Sequence, residues 1–154
     1  MSGLDGLYQE LILDHSKHPH GKQLAAEDGR VATSHQRNPI CGDEVSLRVR
    51  LTEDGDTIRD VTWEGAGCSI SQASASMLSA LVADAEEERC GMTRAEAGAL
   101  IAGFREALRS RGSVELDEDT YADAAALSGV GKYTARVKCA MLAWVALEDA
   151  LVRA

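Results

Sequence analysis

Four cysteines stand in the 154-residue chain, and their neighbours set them apart from one another. Cys41 lies in "NPICGDEV", where Asp43 follows with only a glycine between. A thiol and a carboxylate at that spacing are a compact pair of metal ligands or a primed nucleophile. Cys68 closes "EGAGC", Cys139 closes "ARVKC", and Cys90 sits in "EERCGM". The thiolate is both a metal ligand and the nucleophilic form of the side chain. The competing reading is four small buried hydrophobes with no chemistry at all. The elements that carry these residues decide between the two.

Residues 45 to 64 read as a β-hairpin. Val45, Leu47, Val49 and Leu51 are apolar and alternate with Ser46, Arg48 and Arg50, the pattern of a half-buried strand. Asp54-Gly55 is a favoured hairpin turn, and a second strand follows through Ile58, Val61 and Trp63. The entry to the first strand and the exit from the second lie at the same end of a hairpin. Cys41, Asp43 and Cys68 are therefore expected to be spatial neighbours. Ile70, Met77 and Leu81 repeat at helical spacing and predict a helix over residues 69 to 83, with Cys68 at its N-terminus. Unpaired amides and the helix dipole there favour a thiolate. Gly65 and Gly67 keep side chains out of the approach, although glycines also mark an ordinary strand-to-helix turn.

A last helix is expected from residue 132 to the C-terminus, with an apolar stripe of Val137, Met141, Trp144 and Leu147 or Leu151. At about 100° per residue, Cys139 falls roughly 160° from Met141 on that wheel. It shares a row with Lys132, Ala135, Arg136, Ala143 and Ala146, outside the stripe where a structural cysteine would be expected. Arg136 and Lys138 flank it and would stabilise a thiolate. Packing of Cys139 against another helix across the small alanines remains the alternative. Cys90, among acidic residues in a connection, reads as incidental. His15, His18, His20 and His35 read as surface or capping residues rather than ligands.

The remaining elements supply the frame. A helix is expected over residues 4 to 16, a weakly patterned strand over 31 to 36, and a loose acidic connection at "DAEEERCGM". Thr93 and Glu96 form a capping box that opens a helix to Ser110, and a short helix is expected at 119 to 128. The fold class is α+β, a single domain over residues 1–154, with a small three-stranded antiparallel sheet covered by several helices. A chain of this length buries roughly 70% of its unfolded surface and needs no metal merely to have a core. The formal charge of −9 argues against a grip on nucleic acid. "MSGLDGLYQE" lacks the basic and apolar regions of a secretory leader, and no apolar run reaches bilayer length. The expected compartment is cytoplasmic, where cysteines serve metals or catalysis more often than disulfides.

The blocks "LYQELILDHSKHPHG", "NPICGDEVSL", "WEGAGCSISQASASML" and "SGVGKYTARVKCAMLAWVAL" resemble, in order, those of the NifU/IscU-like iron–sulfur assembly superfamily. They resemble its SufU branch in particular. IscU-like scaffolds carry a histidine directly before the third cysteine, where this chain has Lys138, so the scaffold's ligand set for a cluster is incomplete here. The stretch between Cys68 and Cys139 is also longer than in those compact scaffolds.

What the SufU resemblance implies is a Zn²⁺ site of Cys41, Asp43, Cys68 and Cys139, and a sulfurtransferase role. The sulfur would come as persulfide from a SufS-like cysteine desulfurase and pass, by analogy, to a SufB-type cluster assembly complex. Cys41 is the implied acceptor, freed when a partner's histidine replaces it as ligand, with Gly42 giving it backbone freedom. Arg136 matches an arginine of the family's final block and is implied to position the site. Three thiolates and a carboxylate outweigh a divalent cation, so an arginine nearby would be favourable. Two other readings stand beside this one. One is a scaffold on which an iron–sulfur cluster is assembled and transferred. The other is an adaptor with purely structural zinc, which an aspartate ligand beside a glycine disfavours.

Overall fold

The computed structural model describes residues 3–39, 42–89 and 91–154. In chain order the elements are α1 (Gly3–Lys17), β1 (Arg30–Arg37), β2 (Glu44–Leu51), β3 (Thr57–Ala66), α2 (Ser69–Arg89) and β4 (Met92–Thr93). Then come α3 (Arg94–Arg109), α4 (Glu118–Tyr121), a 3₁₀ segment (Ala122–Lys132) and α5 (Thr134–Arg153). The class is the expected α+β.

The strands form an antiparallel meander in the order β1-β2-β3-β4. This corrects the expectation of three strands. The fourth is only two residues long, pairing Met92 with Ile58 and Thr93 with Thr57. Two residues cannot display an alternation, and Thr93 was legible only as the cap of the next helix. It does serve as that cap: its side chain accepts from the Glu96 amide while the Glu96 carboxylate accepts from the Thr93 amide.

Alternation in β2 puts Val45, Leu47, Val49 and Leu51 on the buried face. In β3 the buried residues are Ile58, Val61 and Trp63, a spacing of three and then two. A register shift opposite Arg50 and Leu51 absorbs the extra residue, so all three share one face despite the irregular spacing. On the other face, Arg48 donates to the Ala25 carbonyl (2.6 Å) and to Glu27 (2.8 Å). Along the same linker, the Trp63 indole donates to the His20 carbonyl at 2.8 Å.

Helices α2 and α5 cover the apolar face, α5 lying against β1 and β2 as well as against α2 and α3. Ser74 ties the pair together: its hydroxyl donates to the Ala140 carbonyl (2.6 Å) and accepts from the Trp144 indole (2.9 Å). Trp144 stacks on Phe104 of α3 with centroids 3.9 Å apart. Tyr121 reaches into the same cluster and donates to the Leu100 carbonyl (2.8 Å). A Cβ at Gly103 would stand 2.3 Å from that hydroxyl, which is why α3 carries a glycine in mid-helix.

Three boundaries differ from expectation. Helix α2 runs to Arg89 rather than stopping at residue 83. Ala85 continues the buried stripe of Leu78 and Val82, but exposed Asp84, Glu86, Glu87 and Glu88 around it hide the period. The expected helix at 119 to 128 is one α-turn, broken at Ala122 with φ 50°, and then a 3₁₀ segment of small residues. Helix α5 begins at Thr134. None of the described helices is long and apolar enough to cross a membrane.

Candidate metal centre

Three elements converge at one end of the sheet. Asp43 ends the β1–β2 connection, whose closure is set by backbone bonds from the Asn38 amide to the Asp43 carbonyl (2.8 Å) and from the Gly42 amide to the Asn38 carbonyl (2.8 Å). Gly42 has φ 79°, a conformation glycine adopts without steric cost. Cys68 sits between β3 and α2, its carbonyl accepting the first helical bond from the Gln72 amide (3.2 Å). The Cys68 amide donates to Asp43 Oδ1 at 3.0 Å and its thiol to Oδ2 at 3.5 Å. The carboxylate thus caps the N-terminus of α2, where the dipole favours negative charge.

The hairpin argument is confirmed for Asp43 and Cys68. Cys41, the third member expected there, lies outside the described residues, as does Cys90. The wheel argument for Cys139 needs correction in one respect. Cys139 is indeed off the Val137–Met141 row, but from Cys139 onward its own row is equally buried, whereas Lys132, Ala135 and Arg136 before it are exposed: Cys139 is 3% exposed and Ala143 and Ala146 are covered as well. A helix sandwiched between a sheet and other helices has two buried faces, and small residues let it approach the sheet. Cys139 therefore points inward, where Asp43 and Cys68 are.

One donor atom each from Asp43, Cys68 and Cys139 lies within 4.8 Å of the other two. Tetrahedral zinc ligands at about 2.0–2.3 Å stand roughly 3.3–3.8 Å apart, so a small adjustment gathers these three around one ion. Two sulfurs and a carboxylate are a donor set that suits zinc, and Asp43 at 3% exposure is a buried carboxylate of the kind a cation compensates. The residues fit the metal. With three ligands supplied, the fourth tetrahedral position is left for a further donor.

The glycines have separate tasks. A Cβ at Gly67 would lie 2.6 Å from Asp43 Oδ1 and 2.6 Å from Ser71 Oγ, so only glycine lets the carboxylate tuck against this turn. At Gly65 a Cβ would meet the Glu44 carbonyl at 2.2 Å, a constraint of strand pairing rather than of the site. Sequence reasoning missed Ser71, whose hydroxyl donates to the Cys68 carbonyl (3.1 Å). It also missed a relay in which Lys22 donates to Gln72 (2.8 Å) and Gln72 to the Gly67 carbonyl (3.1 Å). The signal for Ser71 was available: it stands one turn after Cys68 on α2.

Arg136 is on the exposed first turn of α5, and its guanidinium has no hydrogen-bond or ion-pair partner among the described residues. Of the histidines, His18, His20 and His35 are exposed as expected. His15 is not: it is 3% exposed, bonded to Ser76 Oγ (2.7 Å) and to Asp123 Oδ2 (2.9 Å). The helical pattern of α1 is apolar on that side, and a histidine one turn beyond Leu11 continues it. None of the four belongs to the metal-competent group found among the described residues.

Known proteins share this arrangement of elements. Residues 7–140 match the model of the NifU-like N terminal domain. The zinc-dependent sulfurtransferase SufU of Bacillus subtilis (strain 168) is 36% identical over 152 residues, 99% of this chain and 94% of that protein. The iron–sulfur cluster assembly scaffold protein IscU of Streptococcus pyogenes serotype M1 is 39% identical over 154 residues, 99% of this chain and 87% of that protein. A solved structure of a putative iron–sulfur cluster assembly scaffold protein for the SUF system, from Fervidobacterium islandicum AW-1, superposes with a TM-score of 0.67. It has 35% identity and covers 98% of this chain and 99% of that one. The chain belongs to the NifU-like N-terminal domain family, in company with SufU-like and IscU-like proteins of iron–sulfur cluster assembly.

Proposed function

We propose that this protein is a zinc-dependent sulfurtransferase, accepting persulfide sulfur from a SufS-like cysteine desulfurase for a SufB-type cluster assembly complex. The observation that carries the reading is the convergence of Asp43, Cys68 and Cys139 within 4.8 Å, three donors suited to zinc. The similarity to the sulfurtransferase SufU over nearly the whole chain supports it. Zinc, when bound by these three and Cys41, supplies a redox-inert Lewis acid that keeps its thiol ligands deprotonated.

The chain's own residues then divide the work. Cys68 sits at the head of α2 and Cys139 on α5, and Asp43 is held by the Cys68 amide, so these three hold the site in place. Cys41, in the connection before Gly42, is the acceptor. Its thiolate attacks the outer sulfur of the desulfurase persulfide, a new S–S bond forms on Cys41, and the desulfurase cysteine leaves as thiolate. No net oxidation is involved, since one S–S bond replaces another. Arg136, exposed on α5 one turn before Cys139, positions the incoming anionic persulfide. The whole chain, residues 1–154, acts as one unit, in the cytoplasm.

The test is metal content measured together with desulfurase turnover in the presence and absence of this protein. Near-stoichiometric zinc with strong stimulation is expected, and Cys41→Ala keeps the fold while abolishing the stimulation. Unimpaired stimulation by Cys41→Ala would sink the assignment of the acceptor. A second reading, a cluster-assembly scaffold, has the similarity to the Streptococcus protein in its favour. It requires a stable, transferable iron–sulfur cluster after anaerobic reconstitution. Lys138, an exposed cation at the position where the resemblance to IscU-like scaffolds implies a histidine, weighs against it.

A further inference from the structure

On the far side of α5 from Cys139, a groove of about 490 Å³ opens between the end of α3 and the start of α5. Its floor is apolar, made by Leu108, Val137, Met141 and Val145. Its rim is cationic: Arg109, Arg111 and Lys138 line it, and no carboxylate does among the described residues. Arg105, also at the edge, is neutralised by Glu148 (2.8 Å). The other three cations have no side-chain hydrogen bond or ion pair among the described residues, on a chain whose net charge is −9.

The backbone adds an independent sign. Helix α3 ends at Arg109, and Arg111, two residues on, has φ 57°. A residue in that left-handed conformation just past a helix is usually glycine, and Gly112 stands next in the chain. An arginine occupies the strained position and faces the groove. Conformational preference argues against it there, so the side chain is held for something other than the turn.

We propose that this groove docks an acidic, partly apolar surface segment of the sulfur-donating desulfurase. The inference rests on the function proposed above. Lys138 lines the groove and the next residue, Cys139, is a donor of the metal site, so the two lie across the width of α5, about 10 Å, a span that one protein–protein interface covers. Complementary charge at such a rim acts on encounter rate and on salt dependence, while the apolar floor supplies burial.

The experiment uses the full-length zinc-loaded protein and its SufS-like desulfurase. Binding is measured directly by calorimetry, and desulfurase turnover is titrated with this protein, both at low and high salt. Arg109→Gln/Arg111→Gly is expected to raise the dissociation constant and the half-saturating concentration about tenfold at low salt, with an unchanged plateau rate and zinc content. Arg111→Gly alone is expected to hold or raise the melting temperature while still weakening binding, a pairing that a merely structural arginine does not produce. Normal stimulation with unchanged binding in the variants overturns the docking site and leaves the sulfurtransferase reading intact. Salt-sensitive binding lost in the variants, but without stimulation by the parent protein, upholds the docking site and overturns the sulfurtransferase reading. Absence of any binding by the parent overturns the docking proposal outright.

Discussion

Two partly buried polar clusters lie along α2, and they are built on opposite rules. Midway along the helix, Ser76 accepts from the His20 amide (2.8 Å) and bonds to His15 Nδ1, while His15 Nε2 meets Asp123. With Nε2 protonated, the imidazole donates to Asp123 and accepts from Ser76, and every group in that chain has its match. At the head of the helix, Asp43, Cys68 and Cys139 bring together a carboxylate and two thiols. Deprotonated, all three are anionic acceptors. The first cluster fastens α1 and the 3₁₀ segment to α2. The second, once its thiols are deprotonated, gathers charge of one sign and could hold a metal ion. Each has two buried members, His15 and Ser76 in one and Asp43 and Cys139 in the other, so composition rather than burial distinguishes them.

The largest effects should break the second cluster while sparing the fold. Cys68→Ser and Cys139→Ser are each expected to lower zinc affinity by more than ~100-fold, beyond the 10–100-fold typical of outer-shell changes. Competition with a chromophoric chelator measures this, and circular dichroism should remain that of the parent protein. A site that keeps its zinc affinity after either change would remove that residue from the ligand set. His15→Ala is the reciprocal experiment. It leaves the buried Ser76 hydroxyl short of an acceptor and opens a cavity, so a loss of about 2–4 kcal/mol is expected in urea unfolding. Zinc affinity should not follow it. Parallel loss of stability and affinity would show that the two clusters are not independent.

The legibility of these clusters in the sequence differs for the same physical reason. Asp43 and Cys68 could be placed together because a hairpin has only one geometry, and alternation in Val45–Leu51 announced it. Cys139 was found by what its row lacked, although the row proved buried from Cys139 onward, since a wheel cannot tell how many neighbours a helix has. His15 gave no such cue: its partners come from Ser76 and Asp123, distant in sequence and on different elements. The fourth strand was invisible because two residues carry no period, and the extension of α2 because charged residues interrupt one. Periodic patterns and short-range geometry can be read from sequence. Contacts across many residues between aperiodic segments cannot.

A smaller effect sharpens the rule that matched groups serve the fold. Ser74→Ala removes the acceptor of the buried Trp144 indole and the donor to Ala140. A buried donor left unmatched costs about 1–3 kcal/mol, measurable as a lower urea midpoint. Trp144→Phe removes the indole donor as well, so the double variant should lose less than the sum of the two single changes. Additive losses would mean that the hydrogen bond contributes little.

The smallest effect tests what happens when a matched cluster is taken to the surface. At the far end of α5, Asp149 accepts from Ser34 on β1 (2.7 Å) and pairs with Arg153. The Ser34 hydrogen bond first, and Arg153 second, hold the Asp149 carboxyl below the usual range. A carboxyl whose folded value is depressed stabilises the fold above its unfolded pKa, about 3.9, and loses that contribution as pH falls through the folded value. Asp149→Asn should therefore lower the urea midpoint slightly at neutral pH, and the gap to the parent should close on acidification below about pH 4. Screening weakens the Arg153 pairing at an exposed site, so salt should shrink the neutral-pH gap too. A gap constant from neutral to acidic pH would assign the effect to the lost side-chain geometry rather than to charge. In that case the charge on Asp149 would matter less than its grip on Ser34, and the surface cluster would follow the same rule as the one around His15.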